Sequence, residues 1–109
     1  LPLRPDPYNR PLQVVDPTNG KTAVSHFALG HIENGQQHIS LWPLTGRTHQ
    51  LRVHCAHPDG LGCPIAGDPL YGRGIAPTPS KRLCLHAAQL SFTHPVSGKP
   101  MTFNSVVPF

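Results

Sequence analysis

Residues 43–54 read Pro-Leu-Thr-Gly-Arg-Thr-His-Gln-Leu-Arg-Val-His, PLTGRTHQLRVH. Thr45-Gly46 punctuates the chain, and from Arg47 to His57 neither glycine nor proline interrupts it. Leu51 and Cys55, with Val53 beside them, fall toward one side at near-helical spacing, which predicts a helix over 47–57. Pro58, Asp59 and Gly60 stop it, because proline cannot continue the hydrogen-bond ladder and glycine accepts left-handed geometry.

The segments on either side read as strands. Upstream, Ser25, Phe27 and Leu29 alternate with Val24, His26 and Ala28, and Ile39, Leu41 and Pro43 alternate with His38, Ser40 and Trp42. The dipeptide Asn34-Gly35 between the two runs is a strong hairpin signal, so an antiparallel pair is expected. The opening LPLRPDPYNRP is punctuated by proline and reads as loop, followed by one short strand over Leu12 to Val15. Downstream, residues 60–80 are rich in glycine and proline and predict a long loop, ordered or partly mobile. Residues 82–94 suggest one strand, or two broken near Ala87-Ala88, and residues 101–106 a second hairpin arm after the Ser97-Gly98 turn. The outline is α+β, a mostly antiparallel sheet with one central helix.

Composition sets limits on function. A chain of 109 residues holds one domain or part of one. Ten glycines and fourteen prolines, together about 22% of the chain, disfavour a helical bundle. No apolar run approaches the roughly 20 residues a membrane helix needs, so no membrane partner is expected. Cys55, Cys63 and Cys84 are odd in number and form no close pair, which disfavours a disulfide framework and suits a reducing, cytoplasmic setting. The net charge of +4, with eight histidines in addition, is compatible with a polyanionic partner.

Few residues carry recognisable chemistry. His49, His54, His57, Cys55 and Cys63 crowd one window whose donors would suit zinc. Neither a zincin motif nor a paired-cysteine knuckle accompanies them, so no metal is expected there. The carboxylates number five: Asp6, Asp16, Glu33, Asp59 and Asp68. Four sit in ordinary turn contexts, and Asp68, in Gly67-Asp68-Pro69-Leu70-Tyr71-Gly72, also reads first as a turn former. Arg47, His49, Gln50 and Arg52 are the informative group, because two guanidiniums at a helix start suit a phosphate or carboxylate.

Three motifs in order, GRTHQLRVH at 46–54, PIAGDPLYG at 64–72 and RLCLHAAQLSFTHP at 82–95, resemble the RluA family of RNA pseudouridine synthases. The resemblance covers roughly residues 12–109. It implies that the chain, residues 1–109, is a single partial domain, the C-terminal portion of a synthase catalytic domain. That activity isomerises uridine to pseudouridine in ribosomal or transfer RNA and needs no cofactor. The family's catalytic aspartate and a tyrosine belong to upstream motifs absent here, so the chain alone is expected to be inactive, and Leu1 at its start suggests an excised piece. Arg52 matches the arginine that pairs with that aspartate, and Leu51 its apolar neighbour lining the uracil pocket. Without the aspartate, Arg52 is expected to be unpaired and to turn to solvent or bind an anion.

By the same resemblance Arg47, Thr48 and His49 are rim or RNA contacts, and Lys21, Arg73, Lys81 and Arg82 are candidate phosphate contacts. Asp68 and Tyr71 read as structural and pocket-edge, His86 as packing or hydrogen bonding. The missing half would leave a sheet edge open, through which two copies are expected to associate unless residues 60–80 are partly disordered. The alternatives are a non-catalytic RNA-binding module and, third, a zinc-binding structural domain.

Overall fold

The computed structural model describes residues 1–33, 35–72, 82–93 and 95–108. In chain order the elements are β1 (Leu3–Pro5), β2 (Gln13–Val15), β3 (Ser25–Glu33), β4 (Gln36–Pro43), the helix α1 (Gln50–Ala56), β5 (Gln89–Thr93) and β6 (Pro100–Asn104). All pairing is antiparallel, and the strands divide into three two-stranded ladders, β1–β2, β3–β4 and β5–β6, not one sheet. The α+β class is as expected, and helix α1 packs on β2, β3 and β4.

The opening segment departs from its loop reading. Leu3–Pro5 pairs with Gln13–Val15, and Leu3 also bridges Lys21 through Leu3 N–H to Lys21 O at 2.9 Å and Lys21 N–H to Leu3 O at 2.7 Å. Arg4 and Asp16 lock this corner with a 2.6 Å ion pair. Prolines flanking a strand do not prevent pairing when they lie at its edge, and Pro5 ends β1.

In the β3–β4 hairpin Glu33 pairs with Gln36, and Gly35 before it takes φ +76°. The register runs evenly from Ser25↔Pro43 to Leu29↔Ile39 and then shifts to Ile32↔Gln37. One extra residue is thus taken up on β3, so that Gly30 and His31 together oppose His38. This bulge keeps the face consistent: Phe27, Leu29 and Ile32 share one side with Ile39 and Leu41, while His26, Ala28, Glu33, His38, Ser40 and Trp42 share the other. Without it, Ile32 would cross to the polar side.

The buried apolar residues among those described are Leu3, Ala23, Val53 and Cys55, with Val15 and Tyr71 packed against the cluster. Phe27, Leu29 and Ile32 remain 53%, 67% and 71% exposed. The radius of gyration is 15.5 Å, against ~13 Å for a compact domain of about 100 residues. The molecule therefore has a small core and an uncovered apolar hairpin face.

After α1 the chain doubles back: Leu61 N–H donates to His54 O at 3.0 Å and Cys63 N–H to Cys55 O at 2.8 Å. Partial disorder is one expectation for residues 60–80; residues 60–72 form successive turns, and residues 73–81 lie outside the described residues. Cys84 N–H donates to Ala66 O at 2.9 Å, drawing the 82–84 segment against the loop. Gly67, at φ +78°, sits where a side chain would collide with the Arg82 carbonyl, so only glycine allows this approach.

Candidate functional site

The helix is shorter than predicted, seven residues from Gln50, and Arg47, Thr48 and His49 lie in the turn before it. Two local features cut it back. His49 takes a left-handed conformation, φ 53° and ψ 18°, which no helical run accommodates. Gln50, only 4% exposed, gathers the loop around its amide. Its Oε1 accepts from the Thr45 hydroxyl at 2.6 Å and the Arg47 N–H at 3.1 Å; its Nε2 donates to Val24 O and Ser25 Oγ, both at 2.9 Å.

Every polar position of that buried amide is used, and it ties the 45–47 loop to the start of β3. Gln50→Ala is expected to cost roughly 1–3 kcal/mol, the penalty for partners left unsatisfied, read as a fall in thermal midpoint. The hydroxyl of Ser25 passes the link on to His54 Nδ1 at 2.9 Å, and His54 Nε2–H donates to Leu1 O at 2.9 Å. Burial pushes the His54 pKa down, in keeping with a neutral ring that accepts at one nitrogen and donates at the other.

In the first turn of the helix, Arg52 meets Asp68. The Arg52 Nε–H donates to Asp68 Oδ2 at 3.0 Å and Nη2–H to Oδ1 at 2.6 Å, a two-pronged contact. The Asp68 side chain is wholly buried and that of Arg52 is 15% exposed. The expectation that Arg52 is unpaired is thereby corrected. A local carboxylate reaches it because Gly67 turns the 64–72 loop back under the helix. Asp68 is still a turn former, since its Oδ1 also accepts the Leu70 and Tyr71 N–H groups at 3.0 and 3.2 Å. Burial acts to raise its pKa, but the guanidinium and the two amides outweigh it and hold the carboxyl below its ordinary value. The hydrogen bond to Asp68, against burial, raises the Arg52 pKa further.

Tyr71 completes the group. Its ring lies beneath the Arg52 guanidinium, 5.3 Å from the carbon centre to the ring centroid. Its hydroxyl accepts the Gln13 N–H at 3.0 Å and shares a hydrogen bond with His49 Nδ1 at 2.6 Å. Burial and the neighbouring Arg52 charge lower the His49 pKa, which favours the neutral ring. The strained backbone of His49 is what aims its ring at Tyr71. A groove of about 300 Å³ beside Tyr71 runs between β2 and α1, lined by Gln13, Val15, Val53, Ala56 and His57.

Arg52, Asp68, Tyr71 and His49 thus converge, with Leu51 half-buried beside Arg52. The other candidates are placed elsewhere. The Arg47 Nε–H donates to Thr22 O at 2.9 Å, and Thr48 is exposed in the turn. Lys21 is exposed at its bridge to Leu3; Arg82 is exposed, with Nε–H on Leu83 O at 3.3 Å. His86 Nε2 meets Ser105 Oγ at 2.9 Å. Arg73 and Lys81 lie outside the described residues. The histidines of the 49–63 window are engaged separately, His49 by Tyr71, His54 by Ser25 and Leu1, His57 by the Asp59 N–H. Burial pushes the Cys55 thiol up to about 11.

The centre is a fixed guanidinium on a short helix, backed by a buried carboxylate and an aromatic ring, on an α+β scaffold. No protein-family profile matches the chain. Curated proteins do. The chain is 46% identical over 106 residues to the dual-specificity RNA pseudouridine synthase RluA of Haemophilus influenzae, covering 96% of this chain and 47% of that protein. Against the RluA of Vibrio vulnificus the identity is 49% over 102 residues, 89% of this chain and 40% of the relative. Against that of Escherichia coli K12 it is 41% over 110 aligned positions, all of this chain and 49% of the relative. The chain spans about half the length of the curated relatives it matches. It belongs to the RluA family of RNA pseudouridine synthases.

Proposed function

We propose that these residues form one wall of the catalytic cleft of an RNA pseudouridine synthase, the C-terminal portion of its catalytic domain. The reaction breaks the uridine glycosidic bond and rejoins the base through carbon, on a nucleotide flipped out of structured ribosomal or transfer RNA. The observation that carries the reading is the fixed guanidinium of Arg52. Asp68 occupies one prong of it, through Nε and Nη2. Of the five N–H donors of a guanidinium, three remain. They suit a second carboxylate, supplied by the part of the domain not spanned here, which attacks the sugar or base and which the arginine keeps ionised. Leu51 lines the base pocket beside it.

Arg47, Thr48 and His49 at the rim, with Lys21, Arg73, Lys81 and Arg82, are proposed to meet RNA phosphate and ribose, which makes affinity fall with salt. The apolar hairpin face of Phe27, Leu29 and Ile32 is proposed to pack against the preceding half of the domain. That occupant replaces the homodimer expected from the open edge, because about half of each relative's length is available to cover it. The three cysteines, none of them in a disulfide, suit the cytoplasm as the setting. No helix among the described residues is long and apolar enough to cross a membrane.

Tritium release from RNA labelled at uridine carbon 5 tests the reading. The complete protein is expected to release tritium and form pseudouridine, and residues 1–109 alone to release none. Activity of residues 1–109 alone would place the attacking carboxylate within them, Asp68 first. RNA binding by the complete protein without isomerisation would favour the non-catalytic module.

A further inference from the structure

The bulge in the β3–β4 hairpin places three metal-ligating side chains together, well removed in sequence from the Arg52 centre. Because Gly30 and His31 jointly oppose His38, His31 joins Glu33 and His38 on the polar face of the hairpin. The bulge is held shut by Gln37, whose Nε2 donates to Gly30 O at 2.9 Å and His38 O at 2.8 Å. Glycine suits position 30, where a Cβ would stand only 3.1 Å from the His38 carbonyl oxygen. The two imidazoles stack with centroids 4.2 Å apart and planes 18° from parallel.

Their Nε2 atoms turn toward the same carboxylate oxygen. Glu33 Oε2 is 3.2 Å from His31 Nε2 and 3.6 Å from His38 Nε2, and all three donor atoms lie within 4.8 Å of one another. Donors held about 2.0–2.1 Å from a tetrahedral zinc stand roughly 3.3–3.4 Å apart. Two of the three edges, 3.2 and 3.6 Å, are already close to that length, and the third closes by rotation of the exposed His31 ring against the half-buried His38 ring. Two imidazoles and a carboxylate suit a divalent cation of intermediate softness, and hard cations such as magnesium disfavour them.

We propose that His31, Glu33 and His38 bind a zinc ion, with water in the fourth position. The ion clamps β3 to β4 beside the hairpin turn, on the face opposite Phe27, Leu29 and Ile32. Sequence spacing alone conceals the site, because in an unbulged strand the set does not assemble at this register.

Calorimetric titration of the complete, tag-free protein with zinc chloride tests this. One zinc per chain is expected, with micromolar affinity. His31→Ala, His38→Ala and Glu33→Gln should each weaken binding by more than about tenfold, since a direct ligand matters at least as much as an outer-shell partner. In the unsubstituted protein, zinc should shift the imidazole nitrogen resonances of His31 and His38 selectively, a readout that needs no variant to fold. Absence of zinc binding, or binding unchanged in the His31→Ala/His38→Ala double variant, overturns the proposal.

Discussion

Asp68→Asn is expected to lower the stability of the complete protein by roughly 3–5 kcal/mol, the cost of leaving one charge of a buried pair uncompensated. At roughly 2–4 °C per kcal/mol for a chain of about 150–250 residues, the thermal midpoint should fall by roughly 6–20 °C. The size follows from geometry. Asp68 is wholly buried, Arg52 is 15% exposed, and the two are joined by bonds of 2.6 and 3.0 Å. Asparagine keeps the shape and one acceptor for the Leu70 and Tyr71 amides, so the loss reports the charge together with the Arg52 Nε–H hydrogen bond.

The pH dependence carries the same signature. The Asp68 carboxyl is held below its ordinary 3.8, so the folded state binds fewer protons than the unfolded one through that range. The pair's contribution is complete above about pH 3.8 and is lost as pH falls through the lower, folded value. The difference between parent and Asp68→Asn melting temperatures should therefore be constant at neutral pH and shrink in acid. A midpoint within about 1 °C of the parent at pH 7 would show that the pair contributes nothing net.

Arg52→Lys is the second large effect, on rate. Lysine keeps the positive charge but offers a point ammonium where guanidinium offers a fork that serves Asp68 on one prong and a second anion on the other. In the complete protein kcat for pseudouridine formation is expected to fall roughly 10²–10³-fold, the range for losing one preorganised electrostatic donor. RNA affinity, measured by filter binding at fixed salt, should change little, because one retained charge among several phosphate contacts keeps most of the backbone attraction. Near-parental kcat in this variant would remove Arg52 from the proposed chemistry, whatever its role in stability.

Much of this molecule is written locally. Asn34-Gly35 between two alternating runs specifies the hairpin, and Ser25–Glu33 and Gln36–Pro43 pair antiparallel as that signal predicts. The absence of glycine and proline after Gly46 predicts a helix around Leu51, Arg52 and Val53, and that helix forms, three residues late. The ordered motifs from Gly46, Pro64 and Arg82 point to the same family as the relatives with 41–49% identity. Turn chemistry, alternation and motif order depend on neighbours in sequence, and a chain reports its neighbours directly.

What the tertiary structure decided depends on where distant segments return. Asp68 looks like any aspartate before proline until Gly67, at positive φ and pressed against the Arg82 carbonyl, turns it under the helix to Arg52. Gln50 looks like one polar residue on a helix until its amide is found joining Thr45 and Arg47 to Val24 and Ser25. Leu3–Pro5 becomes a strand because Gln13–Val15 and Lys21 come back to pair with it. His31, Glu33 and His38 assemble because one extra residue in β3 shifts the register. In each case the deciding free energy lies in a contact between segments separated in sequence, satisfying a buried polar group or keeping an apolar side chain on its proper face. No local pattern of propensity or spacing records which segment will supply it.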